Sequence, residues 1–238
     1  MKPTSLLPGA RARLATLALC AFAAGAGIAS PVPDTMGQRM QACVACHGKE
    51  GRATNSGYFP RIAGKPAGYL YNQLVNFREG KRKHAAMAYL VDHMSDAYLR
   101  EIAGYFAALD LPYPPPQTTG VPAATLARGE QLGRRGDAAR GIPACASCHG
   151  DAMAGVAPAM PGLLGLPRDY ILAQFGAWRS GQRRAAAPDC MGDIARKLAP
   201  EDVTAMAAWL SAQAVRGGIA AAGSLAPGIA QECGSGVR

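Results

Sequence analysis

Two short cysteine–histidine motifs carry the most specific chemistry in this sequence. Cys43-Val44-Ala45-Cys46-His47 recurs as Cys145-Ala146-Ser147-Cys148-His149. The CxxCH spacing is typical of covalent c-type haem attachment, in which both thiols form thioethers with the haem vinyl groups. The adjacent histidine is then the proximal ligand of the iron. One copy would also suit a redox dithiol or half of a zinc site, but two copies in matched surroundings predict two covalently bound haems.

The second axial ligand of each iron must come from elsewhere in the chain. When the two halves are aligned on their motifs, Met87 and Met191 stand at the same distance before the last helix of each half. They are the only methionines that the alignment pairs in this loop, so we predict that they complete the coordination of the two irons. His84 and His93 have no counterparts near Met191, and we expect them on the surface. Thioether ligation favours reduced iron and leaves no open position for oxygen or peroxide.

Two prolines follow the histidines at similar distances. Pro60 and Pro161 are candidates to orient the histidine rings, because a ligating imidazole usually donates its second N–H to a backbone carbonyl or carboxylate. The alternative is that both prolines only shape a turn.

The repeat extends beyond the motifs and predicts helices in corresponding places. After each proline a helix ends at a glycine, Gly80 or Gly181, in the position that a left-handed cap requires. A final helix is predicted over 95–108 and again over 200–213. In each half, we expect this helix to cross the first helix of the same half with glycine against a small residue, at Gly104 in the first half and Ala208 in the second. The predicted fold is therefore all-α.

Local differences in amino-acid composition divide the chain into segments. Residues 1–26 have the form of a secretory signal peptide, with cleavage between 24 and 30; an uncleaved anchor is the competing interpretation. We predict a first domain over 31–110, a Pro-rich linker over 111–122, a second domain over 123–215 and a flexible tail over 216–238. Export predicts a periplasmic protein, because c-type haem is attached outside the cytoplasm.

The remaining cysteines and the charge give two further expectations. Of the seven cysteines, Cys20 lies in the leader and four belong to the haem motifs, which leaves Cys190 and Cys233. We expect a disulfide between these two; the alternatives are an inert thiol or a Cys190 thiolate that competes with Met191 for iron. The formal charge of +9 includes three basic residues of the leader, so the charge of the remainder gives no support to nucleic-acid binding.

Longer stretches around the motifs resemble the dihaem cytochrome c4 family. The matching segments are FPxxAG at 59–64, NFREGKR at 76–82, WRSGQRR at 178–184 and MGDIARKL at 191–198. The resemblance implies two tandem class I cytochrome c domains, each built around one covalent haem with His/Met ligation, and two haems that face each other across the domain interface. It also implies a periplasmic electron carrier, often one that serves a terminal oxidase.

Three functions follow from this pattern. The leading hypothesis is a carrier that moves single electrons between respiratory donors and an acceptor such as a terminal oxidase. A cytochrome subunit of a periplasmic dehydrogenase is the second, and a dihaem enzyme with an exchangeable axial ligand, a peroxidase or an enzyme of sulfur-compound oxidation, is the third. Basic residues that could serve the second function as docking charges are Lys81, Arg82, Lys83, Arg183 and Arg184.

Overall fold

The computed structural model describes residues 32–53, 58–215 and 233–235. The predicted leader and most of the predicted tail lie outside the described residues. The helices are α1 (Met36–Arg39), α2 (Gln41–His47), α3 (Ala67–Arg78), α4 (Ala85–Val91), α5 (Asp96–Ala107), α6 (Ala123–Arg135), α7 (Cys145–His149), α8 (Arg168–Arg179), α9 (Cys190–Lys197) and α10 (Pro200–Ser211). Short 3-10 turns lie at Lys49–Gly51 and Ala138–Arg140, and strands β1 (Gly155–Val156) and β2 (Met160–Pro161) form a small antiparallel ribbon. The expected all-α class is confirmed, with this ribbon as an addition.

The chain divides after Gln38 into a short N-terminal unit and a compact unit that begins at Arg39. In the N-terminal unit, the Thr35 hydroxyl accepts a hydrogen bond from the Gln38 backbone N–H at 3.2 Å. Among the described residues, no helix is both long enough and apolar enough to cross a membrane.

In the first half, helix α3 packs against α4 and α5. This contact forms because α5 carries Leu99 and Phe106 on one apolar face, and both side chains are fully buried. Ser95 caps α5, since its side chain accepts a hydrogen bond from the Tyr98 N–H at 3.2 Å. The helix predicted over 95–108 is therefore present.

In the second half, α6 crosses α10 at very short range. A Cβ placed on Gly129 would lie 2.2 Å from the Ala205 carbonyl oxygen and 2.6 Å from Trp209 Cβ, so only glycine fits at this crossing. The predicted contact of glycine with a small residue is thus present in this half, whereas a Cβ on Gly104 of the first half would meet no atom within 4 Å. Leu132, Met206 and Trp209 belong to the apolar cluster that this crossing encloses.

The segment between α6 and α7 is anchored by charge. Arg128 and Arg140 each form ion pairs with both Asp137 and Asp202, at 2.7 to 3.0 Å. Because the Asp202 side chain is buried, this network fixes the loop against the start of α10.

The Pro-rich segment 111–122 contains no helix, and contacts from both halves hold it in place. The buried Arg61 guanidinium donates to the carbonyls of Leu111 and Pro112 and stacks over the Tyr113 ring at 4.0 Å. Further along, the Gln117 N–H donates to the carbonyl of Ser211 at 2.9 Å. The linker is therefore a packed connection.

Candidate functional site

Each CxxCH motif folds as a short helix that ends on its histidine. Helix α2 ends at His47 and α7 ends at His149, and these side chains are only 8% and 5% exposed. The four motif cysteines are in no disulfide. Two free thiols one helical turn apart and a buried imidazole beside them match what covalent haem attachment needs in both halves.

Both histidine rings are held by a proline carbonyl. His47 Nδ1 lies 2.8 Å from the Pro60 oxygen, and His149 Nδ1 lies 2.7 Å from the Pro161 oxygen. If Nδ1 donates to that carbonyl, Nε2 is the nitrogen left to bind a metal. Burial lowers the pKa of both histidines, which favours the neutral form that ligates iron.

The two methionines lie in the first turns of short helices. Met87 is near the start of α4, and its N–H lies 3.4 Å from the Nδ1 of His84, the residue that caps this helix. Met191 is the second residue of α9, which Asp189 caps by accepting the Gly192 N–H at 3.0 Å. Both methionines are partly buried. Met191 packs against the same apolar cluster as Cys145, so the cluster brings the ligand loop and the haem motif of the second half together.

Arg82 and Arg183 join the two halves through a pseudo-symmetric arrangement. Each guanidinium donates to the glutamine of its own half and reaches across to the glutamine of the other, Gln73 or Gln174. Each also stacks over an aromatic ring of its own half, Phe77 at 4.7 Å and Trp178 at 3.9 Å, and the backbones of the two arginines pair as an antiparallel bridge.

This arrangement corrects one expectation from the sequence. Arg183 is only 7% exposed, and Arg82 donates to the side chains of Gln73, Tyr170 and Gln174. The prediction that these two arginines are docking charges is therefore wrong, because their guanidinium groups are engaged in the contact between the halves. The sequence pattern showed two basic runs but gave no information on their pairing with each other.

The positive charge of Arg82 and Arg183 between the two halves suits the anionic groups of haem. Neither Arg82 nor Arg183 forms an ion pair with a carboxylate in the described part of the chain, and Trp178 Nε1 is buried there without a hydrogen-bond partner. A buried cation at Arg183, a partly buried one at Arg82 and an unmatched N–H favour anionic groups beside them. The propionates of c-type haem are such groups, so these residues could hold them.

Cys190 and Cys233 form a disulfide with Cα atoms 5.7 Å apart. The short segment around Cys233 also contacts both halves, since the Gly234 N–H donates to the Pro188 carbonyl and the Ser235 carbonyl accepts from Asn72 of α3. The bond thus connects the loop that carries Met191 to a point on the first half. Because Cys190 is disulfide-bonded, it has no thiolate that could compete with Met191 for iron.

Two residues near the sites have contacts that the sequence did not indicate. His84, which we expect on the surface, is partly exposed, caps α4 and lies 2.8 Å from the Tyr58 hydroxyl. Lys65 is 3% exposed and reaches into the second half. A signal for Lys65 was present in the alignment of the repeats, which pairs it with Leu166.

Most of this chain matches known cytochromes and electron acceptors. A family model described as "Cytochrome C oxidase, cbb3-type, subunit III" matches residues 131–210. The thiosulfate dehydrogenase electron acceptor of Thiomonas intermedia is 37% identical over 201 residues, covering 84% of this chain and 89% of the relative. Cytochrome c4 of Pseudomonas aeruginosa is 35% identical over 201 residues, covering 83% and 94%.

Solved structures of a cytochrome c4 and of a thiosulfate dehydrogenase also superpose on this chain. Reduced cytochrome c4 from Pseudomonas stutzeri superposes with a TM-score of 0.62 at 29% identity, covering 74% of this chain and 95% of that one. The thiosulfate dehydrogenase TsdBA from Marichromatium purpuratum superposes with a TM-score of 0.66 at 30% identity, covering 73% of this chain. The match spans only 36% of that longer chain.

Proposed function

Because the chain belongs to the dihaem cytochrome c4 family, we propose that it receives single electrons from a dehydrogenase outside the cytoplasm, with a thiosulfate dehydrogenase as the favoured donor. The chain is an electron-transfer cytochrome with two covalently bound c-type haems, and it is a carrier, not an enzyme. Haem supplies a one-electron iron couple when bound. The duplicated site carries this function: in both halves a buried histidine is oriented by a proline carbonyl.

The choice of donor rests on the relatives. Two of them, from Thiomonas intermedia and Stutzerimonas stutzeri, are named thiosulfate dehydrogenase electron acceptor and are 37% and 36% identical to this chain. A domain pair of the same fold occurs within the TsdBA chain. These likenesses favour a chain that accepts electrons from such an enzyme, either as a separate carrier or as a docked subunit.

The donor is tested by mixing the oxidised dihaem protein with thiosulfate and a thiosulfate dehydrogenase while haem absorbance is recorded. We expect both haems to be reduced, at a rate that rises with dehydrogenase concentration, and no reduction when the dehydrogenase is omitted. An enzyme that reduces a small-molecule acceptor in the same buffer but leaves this protein oxidised would exclude it as the donor.

On the acceptor side, we propose a terminal oxidase. The match of residues 131–210 to a subunit of a cbb3-type oxidase favours an oxidase whose own cytochrome domains resemble the second half of this chain. Oxygen uptake by oxidase-containing membranes with the reduced protein as sole donor would check this step. Uptake that is no faster than without the protein would count against it.

We propose His47 and Met87 as the axial ligands of haem one and His149 and Met191 as those of haem two, with thioethers at Cys43, Cys46, Cys145 and Cys148. Replacing Met87 or Met191 by alanine should lower the potential of one haem and open that iron to carbon monoxide, because a soft thioether ligand favours reduced iron. Met94→Ala is the matched control, since Met94 has no partner in the repeat. Unchanged potentials in either ligand variant would refute that assignment.

We also propose a periplasmic location. Covalent haem attachment and the disulfide at Cys190 both suit an oxidising compartment. The mass of the chain isolated from a periplasmic extract should show loss of about the first 26 residues, between 24 and 30. A full-length mass in the membrane fraction would indicate an uncleaved anchor instead.

A further inference from the structure

Lys65 belongs to the first half but contacts the loop that holds the proximal histidine of the second. Its ammonium donates to the Gly162 carbonyl at 2.9 Å, and the side chain is only 3% exposed. Gly162 directly follows Pro161, whose carbonyl lies 2.7 Å from His149 Nδ1. The lysine is thus attached one residue away from the group that orients the haem-two ligand.

Neighbouring contacts fix the lysine in this place. Helix α3 begins just after Lys65, and the N–H of its second residue, Gly68, donates to the Pro158 carbonyl between β1 and β2 at 3.0 Å. The ammonium also lies 5.9 Å from the centre of the Tyr113 ring. The two hydrogen bonds, from Lys65 and Gly68, attach the start of α3 to the ribbon that leads to the haem-two loop.

The charge of Lys65 has no carboxylate partner in the described part of the chain. Among the described ion pairs none includes Lys65, and the Arg61 guanidinium acts on the ammonium by repulsion. Since burial removes water as well, the ammonium acts on its surroundings with little screening.

The two halves differ at this position. The repeat aligns Lys65 with Leu166, so the second half supplies no corresponding cation to the first. The buried cation next to Pro60 is Arg61, which belongs to the first half itself. The duplication supplies the same fold and the same ligand types to both haems, whereas Lys65 is particular to one of them.

We propose that Lys65 is a positioning residue for haem two, whose ammonium raises the potential of haem two relative to haem one and thereby shifts electrons within the chain toward the second half. Oxidation adds a positive charge to the iron centre, and a nearby cation opposes that addition. The hydrogen bond to Gly162 holds the cation beside the proximal loop. The proposal requires two haems and is independent of which protein donates the electrons.

Burial and the nearby Arg61 guanidinium lower the pKa of Lys65 to about 7, so the side chain carries its full charge below that pH. The hydrogen bond to Gly162 places this charge next to Pro161, the residue whose carbonyl lies against His149.

Equilibrium redox titration of the dihaem protein, followed by visible absorbance at pH 6, tests the proposal. Met87→His and Met191→His variants assign the two waves to their haems, since each should move one wave only. Lys65→Met removes the charge at similar length, and Lys65→Gln keeps a hydrogen-bond donor without the charge. Lys197→Met is the matched control, because Lys197 donates to a glycine carbonyl, that of Gly141, at 3.0 Å but is exposed.

We expect Lys65→Met and Lys65→Gln to shift the electron equilibrium between the haems about tenfold toward haem one, which is about 59 mV for a one-electron couple. Lys197→Met should leave both waves in place. A haem-two wave that stays in place in Lys65→Gln, or two waves that move equally, would overturn the proposal. Should Lys65→Met fail to hold haem, Lys65→Gln alone decides. Neither outcome depends on reduction by a thiosulfate dehydrogenase, so the two proposals fail separately.

Discussion

Gly129 at the crossing of α6 and α10 offers the sharpest prediction about what holds the second haem domain together. Replacing it with alanine would place a methyl group 2.2 Å from the Ala205 carbonyl oxygen, whereas ordinary contacts are roughly 3.5 Å. The helices would have to separate by about 1 Å. The Ala205 oxygen belongs to the backbone and cannot rotate away from the added methyl group. The free-energy cost of overpacking should therefore be near the upper end of its usual range, about 3 kcal/mol.

Helix propensity opposes this effect, since alanine is about 1 kcal/mol better than glycine within a helix. The net loss in the free energy of unfolding of the second half is therefore about 2 kcal/mol, which corresponds to a fall in Tm of about 10 °C for a domain of this size. Urea unfolding of the dihaem protein, followed by far-UV circular dichroism, measures it.

Gly176 in α8 provides the matched control, because a Cβ there would meet no atom within 4 Å. Gly176→Ala should be neutral or stabilising, by up to about 1 kcal/mol. If Gly129→Ala were as stable as Gly176→Ala, the close crossing of α6 and α10 would be incorrect.

Three further predictions concern the disulfide, a buried carboxylate and the lysine. Cys233→Ser removes the bond to Cys190, which spans 43 residues, and should lower the free energy of unfolding by roughly 4 kcal/mol; equal urea midpoints would contradict it. For Asp202, burial alone would raise the pKa, but hydrogen bonds from two arginines outweigh burial and lower it. The stability lost in Asp202→Asn should therefore be largest above pH 5 and should shrink as pH falls below about 4, and a constant difference from pH 7 to 3 would refute this. Lys65 loses its proton as pH rises through about 7, so the haem-two potential should fall between pH 6 and 8.5 by more in the wild type than in Lys65→Gln, as redox titration can show.

Three charged or titratable groups interact with Lys65. These are Arg61 from its own segment, Tyr113 from the linker and His149 from the second half. None of them is expected to change charge in the same interval: arginine stays protonated, burial raises the pKa of Tyr113, and burial holds His149 neutral. Comparison with Lys65→Gln subtracts the contribution of the haem propionates.

Features set by local sequence could be predicted well. The CxxCH helices, the left-handed glycines Gly80 and Gly181 with φ of +69° and +72°, and the last helix of each half all follow from spacing and residue type within one repeat. Comparing the two copies added more, because a residue present at the same place in both is tied to what the copies share. The placement of Pro60 and Pro161 beside the histidines was found in this way.

Contacts between the halves could not be predicted, since they depend on how one domain is placed against the other. Arg82 and Arg183 looked like solvent-facing basic residues at helix ends, yet they meet each other and share Gln73 and Gln174. Lys65 follows a glycine at the start of a helix, and nothing local indicates that its ammonium reaches Gly162. The sequence indicates such contacts only indirectly, at positions where the two repeats differ, such as Lys65 and Leu166.

The central claim is that this chain carries electrons on two haems whose irons are both fully ligated. Mixing the reduced dihaem protein with carbon monoxide at neutral pH tests it most directly, because the gas binds ferrous haem only where an axial position is open or readily vacated. We expect no rapid change in the haem spectrum of the wild type. Rapid binding to either haem would contradict it and would support an enzyme with an exchangeable ligand.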